Sequence, residues 1–311
     1  MKRYLALDMG GTFIKYALME PQGEIAASGK VPSPLDSMEH LLEVLRGIGQ
    51  QFQGAYAGVA VSMPGRIDTK RGIAHTGGMF TYIRDTPVGQ LFAACLGQPV
   101  CAANDAKCAA SAELWSGALQ GVSNGAVVVL GTGTGGGVVL DGKVWMGTTF
   151  AAGELSVLPV RFAGLAAGMG KGSHDLDTDL LWAHYASATG LLHQYAIRKG
   201  VDPAGLDGLQ FFAAYDAGEK EAVEALDTFG EMTAAGIYAV QSVLDLERYA
   251  IGGGISARPE VTGIIREKLG QLYDAIFFTP FGKPEVVRCK YGNDANLLGA
   301  LRFFLEQEKM R

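Results

Sequence analysis

Short apolar runs broken by glycine turns open the chain. Tyr4 to Asp8 leads into Met9-Gly10-Gly11-Thr12, then Phe13 to Leu18, a turn at Pro21-Gln-Gly23, and Glu24 to Ser28, which predicts three strands joined by two tight turns. The pattern returns at Ala126, with Val127 to Leu130, the glycine stretch Gly131 to Gly137, Val138 to Asp141, a turn at Gly142, and Lys143 to Met146. The two copies are offset by 123 positions, from Asp8 to Gly131. Self-similarity of this kind predicts two related lobes that face each other.

The period changes between and after the copies. Met38, Leu41, Leu42, Leu45, Ile48 and Phe52 recur at helical spacing, with Asp36 and Glu39 in the places of a capping box. Ala57 to Ser62 reads as a buried strand ended by Met63-Pro-Gly65. Leu226, Phe229, Thr233, Ile237, Val240 and Leu244 mark a long apolar helix face that leads into the strand Arg248 to Ile251 and the run Gly252 to Gly254. Helices alternating with strands predict an α/β architecture. The last helix, over Ala295 to Glu308, is expected to pack back on the first lobe. The expected division is an N-terminal α/β lobe over residues 1–115, joined by the helix at about 295–311, and a C-terminal α/β lobe over 116–294.

A chain of 311 residues is longer than most single cores grow, which agrees with two lobes around a cleft. A net charge of -6, with no Lys/Arg run longer than two residues, makes nucleic acid and acidic membrane surfaces poor partners, so a small molecule is the expected ligand. No stretch approaches the roughly 20 apolar residues of a membrane span, and no secretory leader pattern is present, so a cytoplasmic location is expected. Cys95, Cys101, Cys108 and Cys289 form no Cys-x-x-Cys pair and read as buried small hydrophobes in a reducing compartment.

The glycine turns carry the candidate chemistry. A glycine turn after a strand lets backbone N–H groups converge on an anion without side-chain obstruction. An acidic residue beside such a turn, as at Asp8-Met-Gly10-Gly11-Thr12, suits a phosphate-bound Mg²⁺, which prefers carboxylate, phosphate and water oxygens. Gly131 to Gly136 satisfies G-x-G-x-x-G, yet Val138 onward reads as a strand where a dinucleotide site requires a helix N-terminus, so NAD and FAD are rejected. Gly168 to Ser173 resembles a phosphate-binding P-loop, but Leu165 stands where its first glycine belongs and Gly172 follows the lysine, so it reads as a loop.

Taken in order, Asp8 to Thr12, Ala103-Asn104-Asp105-Ala106, Gly131 to Gly135, Gly153-Glu154 and Ile251 to Gly254 resemble the ROK family of sugar kinases and repressors, over essentially the whole chain. The resemblance implies an actin-like ATPase (ribonuclease H-like) fold with ATP and Mg²⁺ as cofactors. The first strand begins at Tyr4, with no helical DNA-binding segment before it, so the kinase branch is expected. By the same resemblance Asp105 is the catalytic base that takes the proton of the attacking sugar hydroxyl, and Asn104, Gly65 and Glu154 contact the sugar. Asp8 holds Mg²⁺ through water, Gly10, Gly11, Thr12, Gly131, Thr132, Gly133 and Thr134 form the two phosphate turns, and Gly253 and Gly254 lie at the nucleotide end. A homodimer is also implied. The bland alternative for Asn104-Asp105 is a helix cap.

Departures from the family pattern are informative. Gly153-Glu154 is followed by Leu-Ser-Val157 in place of the family's x-Gly-His, and no cysteine occurs between Cys108 and Cys289, so the thiolate zinc site of most members is expected to be absent. His174 to Asp179 reads as a solvated acidic run rather than a replacement metal loop. Val157 stands at the family histidine and Ala183 at a family glutamate, both of which lie toward the anomeric side of the sugar. These losses, with the sequence at Phe211 to Gly218, Ile251 to Pro259 and Gly292 to Ala295, resemble the zinc-free β-glucoside kinases of the family. The resemblance therefore implies phosphorylation at O6 of glucose, free or as the non-reducing unit of a β-glucoside. A kinase for another hexose or an N-acylhexosamine, and a non-catalytic sugar sensor, are the alternatives.

Overall fold

A computed structural model describes residues 2–164, 178–292 and 294–309. The loop Gly168 to Ser173 and the run from His174 to Asp177 lie outside the described residues.

The first lobe opens with β1 (Tyr4–Met9), β2 (Phe13–Met19) and β3 (Ile25–Pro32), followed by helix α1 (Met38–Gln51) and strand β4 (Val59–Met63). A small antiparallel sheet of β5 (Ile67–Asp68), β6 (Ile73–Thr76) and β7 (Arg84–Thr86) precedes α2 (Val88–Leu96), β8 (Val100–Asn104) and α3 (Asp105–Ser116). The second lobe repeats the opening with β9 (Gly125–Leu130), β10 (Thr134–Leu140) and β11 (Lys143–Val144). It continues through α4 (Ala188–Lys199), α5 (Gly208–Asp216), α6 (Lys220–Leu244), β12 (Arg248–Gly252), α7 (Pro259–Ala275) and β13 (Glu285–Arg288), and the chain closes with α8 (Ala295–Lys309).

The two main sheets have the same order, β3-β2-β1-β4-β8 and β11-β10-β9-β12-β13. In each, the first three strands are antiparallel and the last two add in parallel. The sequence repeat is therefore a repeat of topology, and the fold is that of the actin-like ATPases. One face of the first sheet buries Leu5, Leu7 and Ile14 against Leu41, Leu45 and Phe92. The second sheet packs Val128 and Ile251 against Phe229 and Ile237 of α6. Between the sheets, α3 and α8 pack through Ala109, Ala110, Ala112 and Ala300, and α8 contacts β1, β4 and β8. Glu113 of α3 is buried and accepts the backbone N–H of Ala118 at 2.6 Å, Lys290 at 3.1 Å and Tyr291 at 2.8 Å, which ties the segment after β13 to the helix that leaves the first sheet.

Two local expectations change. The cap of α1 is Ser37, whose hydroxyl accepts the N–H of His40 at 3.2 Å. Asp36 stands one residue too early to cap and meets the His40 ring at 2.8 Å. The second glycine turn is also shorter than the run of glycines suggests, because Gly135, Gly136 and Gly137 pair in register with Val129, Val128 and Val127 as part of β10. Their bareness serves packing: a Cβ on Gly137 would fall 2.5 Å from the Ala110 Cβ of α3.

Candidate active site

The turn from β8 into α3 places two polar side chains at the mouth between the sheets. Asn104 is the N-cap of α3, its side-chain Oδ1 accepting the Lys107 N–H at 3.1 Å, so the pair does cap the helix. Its amide does more: Nδ2 donates to the Gly65 carbonyl at 3.0 Å and to Asp105 Oδ1 at 2.9 Å. Asp105 Oδ1 also accepts the Ala106 N–H at 2.8 Å. Both donors therefore act on one oxygen, and the carboxylate is held in one orientation. Gly65 adopts φ +98°, and a Cβ there would meet the Thr76 carbonyl oxygen at 2.2 Å, so only glycine fits.

A cleft of about 560 Å³ is lined by Gly65, Asn104, Asp105 and Glu154. Gly131, Thr132, Gly133 and Thr134 border the same cleft. The exposed Glu154 accepts the Ser156 hydroxyl at 2.6 Å. Burial pushes the Asp105 carboxyl up to about 6; the Ala106 N–H and Asn104 amide oppose the rise, and the charges of Asp8 and Glu154 reinforce it. Lys107, only 2% exposed, lies in the first turn of α3; burial lowers its pKa, against the attraction of Glu154 and Asp105.

Asp8 sits at the end of β1, 7% exposed. Its Oδ1 accepts the Ser62 hydroxyl at 3.1 Å and the Asn296 amide at 3.0 Å. Burial raises its pKa, and these two bonds and the charge of Lys15 work against that rise. Asp8 lines a second cavity of about 140 Å³ with Lys15, Gly253 and Asn296. Gly253 continues into a third, of about 220 Å³, with Gly254, Arg288 and Lys290. Asn296 borders both the Asp8 cavity and the Asp105 cleft, so the three spaces adjoin in series.

Gly10, Gly11 and Thr12 make the β1–β2 turn, where the Gly10 N–H donates to the Phe13 carbonyl at 3.1 Å, and they border none of these three spaces. The second turn is braced from behind: Thr134 Oγ1 donates to the Ala186 carbonyl, and the Ala188 N–H donates to the Gly131 carbonyl at 2.8 Å. Behind Thr132 and Gly133 opens a recess of about 480 Å³ that includes His184, His193 and Ala183. Ala183 thus lies in that recess and not in the cleft of Asp105, while Val157 is 58% exposed beside Ser156. The supposed pair of anomeric-side losses is not one wall of one pocket.

Ser62, Asn296, Lys15 and Ser156 escaped the sequence reading. Ser62 carried a signal, a polar residue ending an apolar strand, whereas Asn296 lies 288 positions from its partner and only the fold joins them.

Over residues 4–307 the chain matches the ROK family model. It is 30% identical to a beta-glucoside kinase of Listeria monocytogenes serovar 1/2a, covering 97% of each chain. Among solved structures, a ROK family protein of Streptococcus pneumoniae TIGR4 in complex with sucrose superposes with a TM-score of 0.84 at 26% identity, covering 99% of this chain and 100% of that one. A ROK family glucokinase of Streptomyces griseus in complex with glucose and AMPPNP gives 0.80 at 25% identity, covering 96% and 98%. The family match and these relatives define an ATP-dependent sugar kinase of actin-like architecture. The chain belongs to the ROK family.

Proposed function

We propose that this protein transfers the γ-phosphoryl group of ATP to the primary hydroxyl of a glucose ring, free or as the non-reducing unit of a β-glucoside. At the coarser level it is an ATP-dependent sugar kinase of the ROK family. The observation that carries the mechanism is Asp105, a cleft carboxylate fixed through one oxygen and with its pKa raised to about 6. Such a group is ionised at neutral pH and still basic enough to take a proton. The hydroxyl proton passes to Asp105 as the sugar oxygen bonds to phosphorus and the bond to the ADP oxygen breaks. Asn104, Gly65 and Glu154 hold the sugar in line, since positioning and charge neutralisation dominate phosphoryl transfer.

The residues present fit Mg²⁺. Asp8 is a hard oxygen ligand, its two hydrogen bonds among the described residues both fall on Oδ1, and it lines the cavity next to the cleft. Bound Mg²⁺ supplies positive charge to the phosphate oxygens, and Asp8 is the side chain to hold it, through water. In this reading the phosphates lie against the Gly131 to Thr134 turn, with Gly10 to Thr12 as the opposite turn and Gly253 and Gly254 toward the nucleoside; the Gly131 and Gly10 N–H groups are taken by the Gly133 and Phe13 carbonyls, so the contacts would come from the other residues of the two turns. Zinc is not part of this reading, because the four cysteines are scattered along the chain and offer no thiolate cluster in sequence.

The β-glucoside preference rests on the 30% relative and on the departure at Val157, which does not line the Asp105 cleft but follows Ser156 of its wall and puts no polar group there to be left unpaired by a substituted anomeric carbon. The test is kcat/KM for glucose, cellobiose and N-acetylglucosamine with Mg²⁺ and a zinc-selective chelator. Comparable or better use of cellobiose supports the reading. Exclusive use of free monosaccharides overturns the β-glucoside assignment, N-acetylhexosamine preference overturns glucose, loss of activity with the chelator overturns the zinc-free assignment, and no ATP consumption with any sugar favours a sensor.

A further inference from the structure

The cleft draws its two carboxylates from separate segments: Asp105 opens α3, and Glu154 follows β11, just ahead of a short 3₁₀ turn, Leu155–Val157. That turn is fastened without polar side chains. Leu155 is buried against β10, where a Cβ on Gly136 would fall 2.4 Å from its Cγ. Backbone bonds add to this, from the Leu155 N–H to the Gly153 carbonyl at 2.8 Å and from the Leu158 N–H to the Leu155 carbonyl at 3.1 Å. With Leu155 turned inward, Glu154 and Ser156 on either side of it both line the cleft. Glu154 stands at the N-cap position of the turn, yet its side chain makes no cap bond and instead accepts the Ser156 hydroxyl through Oε1 at 2.6 Å.

We propose that Ser156 is a positioning residue for the sugar: its hydroxyl fixes Glu154 through Oε1 and leaves Oε2 to accept a hydroxyl of the sugar ring. Asp105 is held in the same manner, with the Asn104 amide and the Ala106 N–H both on Oδ1. An exposed glutamate samples several rotamers, and the freedom it loses on binding subtracts from affinity, so a donor that has already settled one oxygen reduces the loss. The bond is charge-assisted, which makes it stronger than its neutral counterpart. The competing role, a brace for the turn itself, is less economical, because buried Leu155 and the two backbone bonds already hold the turn. Ser156 stands where the family pattern has a glycine, which has no hydroxyl to offer, so the contact is a departure from that pattern. The proposal rests on the sugar-kinase reading and adds to it the residue that orients Glu154.

The measurement is steady-state kinetics of the intact protein and of Ser156→Ala, Ser156→Gly and Ser156→Thr, each repeated in a Glu154→Ala background. The acceptors are the best sugar of the panel and its monodeoxy analogues, each lacking one ring hydroxyl, with sugar affinity by calorimetry read in parallel. Losing the hydroxyl is expected to raise the sugar KM and weaken sugar affinity by about 3- to 10-fold in Ser156→Ala and Ser156→Gly, with the ATP KM unchanged and Ser156→Thr close to the parent. The penalty should disappear in Glu154→Ala, and for at least one analogue, the one missing the hydroxyl that Glu154 accepts. Unchanged sugar KM and affinity in Ser156→Ala overturn the proposal, and so does a penalty that persists in Glu154→Ala or is equal for every analogue. An ATP KM that rises in step with the sugar KM marks Ser156 as a brace of the turn and overturns it as well. A parent protein that phosphorylates no sugar is the failure of the kinase reading, and it takes this proposal with it.

Discussion

The two adjoining spaces at the centre of the molecule are built from opposite materials. The larger cleft is acidic, with Asp105 and Glu154 and no cation among its described lining residues, whereas the small cavity sets Lys15 beside Asp8 and closes on Gly253. Asn296 borders both, binding Asp8 on one side. The difference separates two tasks that phosphoryl transfer must perform together: taking a proton from the acceptor, which wants basic carboxylate, and neutralising the phosphates, which wants positive charge. The turn Gly131 to Thr134, proposed for the phosphates, borders the acidic cleft as well, so the division is drawn at Asp105: changing it should alter chemistry and leave nucleotide affinity in place.

The largest effect tests that division at its centre. Asp105→Asn keeps the size of the side chain and its contact with Ala106 while removing proton acceptance, so kcat should fall by ~10²- to 10⁴-fold. AMPPNP and sugar affinities should stay close to those of the intact protein. Turnover near the original value would contradict the role of Asp105, and an equal loss of AMPPNP affinity would break the separation between the two spaces.

A smaller effect appears in stability, and with the opposite sign. The folded state raises the Asp105 carboxyl from 3.8 to about 6. The folded protein thus keeps a proton that the unfolded chain releases, and the stability this gives is present below 3.8 and is lost as pH rises through about 6. Asp105→Asn removes that loss. Urea denaturation at pH 7 should show the variant more stable by up to about 3 kcal/mol, with the gap closing toward pH 4. A variant less stable than the parent at pH 7 would mean that burial of Asp105 is not costly. The predicted pattern is a site that gives up stability to hold a basic carboxylate.

Much of the frame was legible because it depends on local signals. Alternating apolar strands and glycine turns at Tyr4 to Leu18 and Val127 to Asp141 are a short-range code, and its recurrence revealed the doubled topology. Gly135 to Gly137 misled because glycine is a sign of both turns and close packing, and only the neighbouring α3 decides between them. Asp36 misled by one position, a normal error where several cap residues stand together. Most residues expected at the site do border the adjoining spaces, including Gly65, Asn104, Asp105, Glu154, Asp8 and Gly253. The remainder depends on contacts between distant segments. Asn296 meets Asp8 only when α8 returns to the first sheet, and Ala183 falls behind the second turn because Trp182, buried in the core beside it, anchors that segment. No helix among the described residues is long and apolar enough to cross a membrane, and none of their His, Cys, Asp and Glu side chains cluster in threes as a metal site.

The most direct test of the account is the pH dependence of kcat/KM, because it reads the proton acceptor in the free protein. With Asp105 as the base, kcat/KM for the best sugar should be level near neutrality and fall as pH drops through about 6. In Glu154→Gln, where a neighbouring negative charge is removed, that fall should move to lower pH. A profile that stays level well below pH 5, or a limb that Glu154→Gln leaves in place, would contradict a base tuned by burial and by the acidic wall of the cleft.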